Sequence, residues 1–174
     1  MQTRGYNGFS YADVAAEIGI SKASLHHHFS TKAALGAAIM ERYASLVVQS
    51  LADIEAHERD AAERLARFSQ LYVDVLRQDR LCLGAMLAAE FGTLPAAMQK
   101  TVRQFFKANQ SWLESVTAYG RKTGSLAPPG TDAEAARVLL SGLEGAMLIA
   151  RPMKDIEGFR ATAGSLLANL RRRG

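Results

Sequence analysis

Residues 10–29 read SYADVAAEIGISKASLHHHF, and this stretch predicts two short helices joined by a tight turn. Ser10 stands three residues before Asp13, which is the spacing of a capping box at the start of a helix. Gly19 is predicted to end the first helix, because glycine adopts the left-handed backbone conformation without steric cost. Ser21 is then predicted to cap the second helix.

The second helix, residues 21–28, has very little apolar surface. Its hydrophobic residues Leu25 and Phe29 are spaced i, i+4 and form one narrow stripe. The remaining side chains are small or can form hydrogen bonds: Lys22, Ala23, Ser24, His26, His27 and His28. A helix of this composition suits the major groove of DNA. The alternative interpretation is an ordinary solvated helix.

Composition sets the class of protein. The chain has 174 residues, 48% of them hydrophobic, which is enough for a substantial core. The net charge of +4 and the pI of about 9.4 are compatible with a polyanionic partner. The sequence shows no apolar run of the roughly 20 residues needed to span a membrane, and no signal-peptide core. A single cysteine, Cys82, excludes an internal disulfide framework and fits a cytoplasmic location.

The sequence predicts an all-α fold, because prolines are few and no alternation of apolar and polar residues persists. A small N-terminal module over residues 1–42 precedes a larger helical domain over residues 43–174. A helix over residues 31–54 bridges the two, with Leu46 in its apolar stripe. Later helices are predicted over residues 60–78, 81–91, 95–122, 131–150 (ended by Arg151-Pro152) and 155–172.

An ordered set of motifs surrounds the two short helices: Gly5-Tyr6, Gly8-Phe9-Ser10, Asp13-Val14-Ala15, Gly19-Ile20-Ser21-Lys22, Leu25–Phe29 and Lys32-Ala33-Ala34-Leu35. In this order they resemble the TetR family of bacterial transcriptional repressors, as does the GLEGA sequence of residues 142–146. The family places a whole helix before Gly5-Tyr6, and residues 1–4 correspond to its last turn. We therefore expect the first helix to be largely missing, so that four apolar residues lose part of their cover: Val14, Ile18, Leu25 and Phe29.

The resemblance implies which residues bind DNA. Residues 22–24 would face base edges, and His26 and His28 would reach phosphates. Lys32 would join a cluster of backbone amides that attracts phosphate. The full set is Ser10, Tyr11, Lys22, Ala23, Ser24, His26, His27, His28 and Lys32. Successive helical residues point about 100° apart, so the three histidines cannot converge on one metal ion, and no metal site is predicted.

The resemblance also implies an effector cavity in the larger domain. The candidate residues are Phe68, Tyr72, Cys82, Met86, Glu90, Phe105, Phe106 and Trp112. The alternatives stay open: the aromatic residues and methionine as plain core, Cys82 as a buried small residue rather than a sensor thiol. Glu90 and Glu144 are either polar contacts to an effector or partners of residues such as Arg103 and Arg137.

The last two helices are where the family dimerises. The candidate interface residues are Leu139, Gly142, Leu143, Ala146, Met147, Leu166, Leu167 and Leu170, and Arg171-Arg172-Arg173 is expected to be a solvated tail.

The sequence therefore predicts a homodimeric, ligand-responsive repressor of the TetR type. A small-molecule inducer would release it from a palindromic operator in double-stranded DNA, with no membrane partner. The alternative is a helical ligand-binding or scaffold protein without DNA binding. No catalytic constellation stands out, so neither an enzyme nor a cofactor is predicted.

Overall fold

The computed structural model describes residues 1–171, and over that range the fold is all-α, as predicted. A 3₁₀ turn at Phe91–Thr93 and an isolated β-bridge between Leu126 and Arg171 accompany the helices. Eight α-helices follow in chain order: α1 Tyr11–Ile18, α2 Lys22–His28, α3 Lys32–His57, α4 Ala61–Leu76, α5 Leu83–Ala89, α6 Ala96–Thr123, α7 Asp132–Met153 and α8 Ile156–Ala168. The predicted tail residues Arg172 and Arg173 lie outside the described range.

The N-terminal module begins as its sequence predicts. Both bonds of the capping box between Ser10 and Asp13 are present, and Gly19 ends α1 with a φ of 72°. The Ser21 side chain accepts a hydrogen bond from the backbone of the first turn of α2. Helices α1 and α2 pack on each other, and Ala15 and Leu25 are buried, with exposed fractions of 4% and 3%.

Other apolar residues of the module are less covered. Ile18 is 56% exposed, and Val14 and Phe29 are half-buried. The expected loss of cover is wrong for Leu25, which packs between the two short helices and is 3% exposed. Residues 1–8 form successive turns, in which the Gly5 N–H donates to the Met1 carbonyl at 2.8 Å.

Helix α3 joins the module to the larger domain. It spans 26 residues, extends three residues beyond the predicted end, and packs against α4, α5 and α6. The prediction that Leu46 lies in its buried stripe is wrong, because Leu46 is 50% exposed. The buried side of the helix continues through Leu51 and Ile54, and Leu46 lies beside it.

The larger domain has its core between α4, α6, α7 and α8. Its largest fully buried side chains include Phe68, Leu113, Leu143 and Phe159. Helix α7 continues through Pro152 to Met153, so the predicted stop at Arg151-Pro152 is wrong. Pro152 has no backbone N–H and therefore removes one hydrogen bond from the helix. It lies in the last turn of α7, where few further backbone hydrogen bonds form, so the helix continues past it to Met153. Helix α8, in contrast, is shorter than predicted and ends at Ala168 rather than at residue 172.

None of the helices described is both long enough and apolar enough to cross a membrane.

Candidate functional site

The outer face of α2 is free of packing. Only Leu25 is buried in this helix, and Phe29, which follows it, is half-buried. The six predicted contact residues of the helix are all exposed: Lys22, Ala23, Ser24, His26, His27 and His28. The narrow apolar stripe is therefore sufficient to hold α2 in place while the rest of its surface stays available to a partner.

Tyr11 holds α1 against the end of α2. Its hydroxyl donates to the Phe29 carbonyl at 2.5 Å, and its ring stacks on the His26 imidazole with centroids 4.4 Å apart and planes 8° from parallel. The Tyr11 hydroxyl is thus already committed within the chain. His26 stays exposed, so the edge of its ring remains free for an external contact.

Two other predicted contact residues have structural partners. The Lys32 ammonium lies over the rings of Tyr6 and Phe9, 4.5 and 4.6 Å from their centroids. Ser10 is exposed and its hydroxyl accepts the Asp13 backbone N–H. Lys32 thus stabilises the base of the module, in addition to any contact with a phosphate.

A cavity of about 230 Å³ lies between α3, α4 and α6. It opens beside Leu46, Ser50 and Asp74, which accounts for the exposure of Leu46. Four of the eight predicted effector residues line it, namely Phe68, Tyr72, Cys82 and Phe105. The other lining residues are Tyr43, Leu46, Val47, Ser50, Leu71, Asp74, Val75, Asn109 and Met147.

The other four predicted effector residues do not line the cavity. Met86 and Phe106 are half-buried core residues, and Phe106 packs edge-on against Phe105 with centroids 5.4 Å apart. Trp112 packs against Phe68 at 5.5 Å, and its indole nitrogen has no hydrogen-bond partner among the described residues. Glu90 binds the N-terminal segment instead.

The contribution of α3 was missed by the sequence analysis. Tyr43 and Val47, one turn apart, face the cavity from this helix, and Asn109 faces it from α6. A lone asparagine on an apolar helix face is a signal that could have been used, because a buried amide needs partners. The Asn109 amide donates to the Phe105 carbonyl at 2.8 Å.

A buried polar cluster adjoins the cavity. The Tyr72 hydroxyl donates to the Glu144 carboxylate at 3.1 Å, and the Cys82 thiol lies beside that carboxylate. Neither Arg103 nor Arg137 pairs with Glu144; Arg103 stacks on Phe91. Burial raises the pKa of Glu144 to about 7.

The same environment determines the state of the cysteine. Burial, and then the Glu144 carboxylate, raise the pKa of the Cys82 thiol well above its ordinary value. Cys82 is also buried, with an exposed fraction of 4%. A reactive thiol needs a lowered pKa and access to solvent, so the structure favours the interpretation of Cys82 as a buried small residue.

Glu90 fills an anion-binding turn formed by the N-terminal segment. Its carboxylate accepts the backbone N–H groups of Tyr6 at 2.5 Å and Asn7 at 3.2 Å. Gly5 has a φ of 73°, and a Cβ atom there would lie 2.5 Å from a carboxylate oxygen of Glu90. Glycine is therefore required both by the backbone conformation and by the close approach.

Helix α5 connects this turn to the cavity. Cys82, which precedes its first residue, lines the cavity, and Glu90, which follows its last residue, holds the N-terminal segment. At 1.5 Å per residue the two lie about 12 Å apart along the helix. Gln2 strengthens the connection through two hydrogen bonds with the Leu81 backbone, at 3.0 and 3.1 Å.

The predicted interface residues on α7 and α8 divide into two groups. Leu139, Leu143, Met147 and Leu170 are at most 5% exposed, so their assignment to an interface is wrong; they fill the chain's own core. Gly142, Ala146, Leu166 and Leu167 are half-buried. The apolar side chains exposed on α7 are Val138, Leu148, Ile149 and Met153, which are 44–69% exposed.

Known proteins are similar to this chain in sequence. A model described as bacterial regulatory proteins of the tetR family matches residues 1–39, and one described as a tetracyclin repressor-like C-terminal domain matches residues 61–165. The chain is 24% identical over 172 residues to the transcriptional repressor NemR of Escherichia coli, covering 95% of this chain and 86% of NemR. It is 22% identical over 146 residues to the repressor DhaR of a Mycobacterium species, covering 83% and 73%.

Solved structures agree in fold. A TetR-family regulator from Agrobacterium tumefaciens has a TM-score of 0.93 and 31% identity, with 97% of this chain and 90% of that one covered. A TetR regulator from Legionella pneumophila gives 0.87 and 28%, with 98% and 90% covered. Because the C-terminal family model alone spans more than half of the chain, the protein belongs to the TetR family of bacterial regulatory proteins, which are DNA-binding transcriptional regulators.

Proposed function

We propose that this chain is a repressor that a small molecule releases from a palindromic operator. One observation carries the proposal: α3, the helix that follows α2 directly in the chain, is also a wall of the cavity. Helix α3 begins at Lys32, only three residues after Phe29, and contributes Tyr43 and Val47 to the cavity 11 and 15 residues later. A ligand that displaces α3 therefore moves α2.

The proposed DNA contact is made by the exposed residues of α2. Lys22 at its N-terminal end provides a charge for phosphate or guanine, and Ser24 can donate to or accept from a base edge. The helix enters the major groove, and α1 lies across the backbone with Ser10 at its start. Residues 1–42 form the DNA-binding module in this proposal, and residues 43–174 bind the effector and dimerise.

Two connections transmit the effect of the ligand. Helix α3 is one, and α5 with its Glu90 contact to the N-terminal segment is the other. Ligand and operator must prefer different arrangements of these helices, because an effector shifts an equilibrium only by its differential affinity for the two states. The cavity is open to solvent beside Ser50 and Asp74, which gives a small molecule a route of entry.

The proposed homodimer forms through α7 and α8. A groove between these helices is lined by Gly142, Gly145, Ile149 and Met153 on α7 and by Gly158 and Thr162 on α8. Small residues allow a partner helix to approach closely, and the exposed apolar side chains provide area to bury. The dimer places two α2 helices about 34–36 Å apart, one turn of DNA.

The test uses the full chain and a duplex selected by that chain from random sequence. Lys22→Ala should weaken binding and reduce the magnitude of the salt dependence by about two phosphate contacts per dimer, one per protomer, because about two condensed counterions fewer are released. Lys107→Ala is the matched control: it removes the same charge from an exposed position on α6. Equal binding by the two variants would contradict the assignment of α2 to DNA, and failure to select any duplex would refute the repressor.

A further inference from the structure

The cavity described above has more free hydrogen-bond acceptors than donors. The Tyr72 hydroxyl donates to Glu144, and the Ser50 hydroxyl donates to the Leu46 carbonyl at 3.1 Å. The Tyr43 hydroxyl also faces this region and lies beside the Cys82 thiol. The protons of the Tyr72 and Ser50 hydroxyls are thus used within the protein, whereas their oxygen lone pairs can still accept.

Glu144 adds an acceptor directly behind this lining. One of its carboxylate oxygens bonds to Tyr72, whereas the other is buried and has no hydrogen-bond partner among the residues described. A buried acceptor without a donor is costly, so a donor that reaches this cluster is favoured. The one lining side chain with both a spare donor and an acceptor is Asn109, whose second amide hydrogen is not used by the Phe105 carbonyl.

The charge around the cavity is negative. Among the lining residues Asp74 is charged, and no lysine or arginine is present. Arg77 pairs with Asp74 at 3.3 Å, but its side chain is 57% exposed and it does not line the cavity. A ligand carboxylate or phosphate would be removed from water without a buried counter-charge, which costs several kcal/mol.

The volume limits the size of the ligand. An apolar cavity of about 150 Å³ accommodates benzene, and this cavity measures about 230 Å³. The additional space corresponds to two or three further non-hydrogen atoms. The walls are largely apolar and aromatic, with Phe68 and Phe105 on opposite helices, α4 and α6, and they suit a flat ring.

We propose that the cavity binds a molecule of one aromatic ring that carries a hydrogen-bond donor and no negative charge, an arylalkyl amine or alcohol. This inference rests on the effector role proposed above for the cavity and specifies its ligand class. The ring packs between Phe68 and Phe105, and the donor group lies toward the oxygens of Tyr72, Tyr43 and the cluster that includes Glu144.

The test compares three probes of nearly equal size on the full chain: benzylamine, benzyl alcohol and benzoate. Dissociation constants are measured by calorimetry, and thermal unfolding is followed at millimolar probe concentration. We expect benzylamine and benzyl alcohol to bind and to raise the unfolding temperature, and benzoate to bind at least tenfold more weakly than either. Glu144→Gln should reduce the preference for benzylamine over benzyl alcohol by threefold or more, because an amide cannot ionise to the carboxylate that a bound ammonium ion would favour.

Two tryptophan variants on α3 locate the binding. Val47→Trp fills the cavity and should abolish binding of both probes, whereas Val48→Trp, on the adjacent residue that is 54% exposed, should leave it unchanged. If Val47→Trp does not fold, Ser50→Phe at the mouth of the cavity replaces it.

Each contrary result has a separate meaning. Benzoate binding as tightly as benzylamine, and lost in Val47→Trp, would refute the ligand class and leave the regulator intact. No binding by any probe, or equal binding by the Val47 and Val48 variants, would refute the cavity as the site of this ligand class. The operator assay with Lys22→Ala is independent of all three probes, so failure of the proposed repressor would be seen there and not here.

Discussion

Replacing Glu90 by glutamine tests the contact between the N-terminal segment and α5. The carboxylate accepts the backbone N–H groups of Tyr6 and Asn7 at the same time. A glutamine side chain has the same shape but only one acceptor oxygen, so its amide group must face one of the two N–H donors. The variant therefore loses one hydrogen bond completely and the charge of the other.

The magnitude follows from the two bonds. A hydrogen bond to a charged group contributes about 1.5–3 kcal/mol and a neutral one about 1 kcal/mol. Glu90 is half-buried, which reduces the charged contribution through solvent screening. We expect the free energy of opening the N-terminal segment to fall by about 2 kcal/mol, which corresponds to a roughly 30-fold larger equilibrium constant for opening.

Native-state hydrogen exchange measures this effect at the two amides concerned. The exchange rates of the Tyr6 and Asn7 amides should rise by about 30-fold in Glu90→Gln, because both depend on the opening of this contact. Amides in the core of α6, such as that of Leu113, should change by no more than the global stability does.

Glu17→Gln provides the control, since Glu17 is exposed on α1 and the substitution makes the same change in charge. Unchanged exchange of the Tyr6 and Asn7 amides in Glu90→Gln, or an equal change in Glu17→Gln, would show that the carboxylate does not hold the segment in solution. The connection through α5 would then lose its basis, and α3 would remain as the link between cavity and module.

Three further predictions concern separate parts of the fold. Burial raises the pKa of Glu144 from 4.5 to about 7, so the protonated side chain favours the folded state. This contribution, about 3 kcal/mol, should be lost as pH rises from about 4.5 through 7. Denaturant titrations against pH should show this slope in the difference in unfolding free energy between the wild type and Glu144→Gln, and a flat difference would contradict it. Ile149→Glu should convert the proposed dimer to monomer in light scattering. Val48→Glu, at a residue that is also more than half exposed but lies on α3, should not, and dimers in both variants would place the interface elsewhere. Leu25→Ala should lower the stability of the N-terminal module by about 2–5 kcal/mol, because it removes the buried anchor of α2. The α1 and α2 amides should then lose protection from hydrogen exchange, and retained protection would mean that the module does not depend on that anchor.

The local structure of the N-terminal module could be predicted from its sequence. The capping box of Ser10 and Asp13, the Gly19 end of α1 and the Ser21 cap of α2 are formed by residues at most four positions apart. Interactions over such short separations depend little on the rest of the chain. The free face of α2 followed from the same pattern, because one apolar stripe can pack on one side only.

The cavity was only partly predictable. Phe68, Tyr72, Cys82 and Phe105 were recognised as candidates, but a helical stripe of aromatic residues reads the same whether it faces a cavity or a filled core. The place of Glu90 could not be read from its neighbours, because its partners Tyr6 and Asn7 lie more than 80 residues away. The apolar residues of α7 were misassigned for the same reason: periodicity marks two faces of a helix without saying which of them meets α8.

The sequence by itself determined that this chain is helical, where its short helices begin and end, and that α2 carries a polar surface typical of the TetR family. These properties depend on contacts between near neighbours and on the spacing of apolar residues. Only the tertiary structure decided that α3 lines the cavity, that Glu90 ties α5 to the N-terminal segment, and that Glu144 lies buried beside Tyr72 and Cys82. Those arrangements depend on how distant helices pack, because the burial and partners of a side chain are set by residues remote from it in the chain.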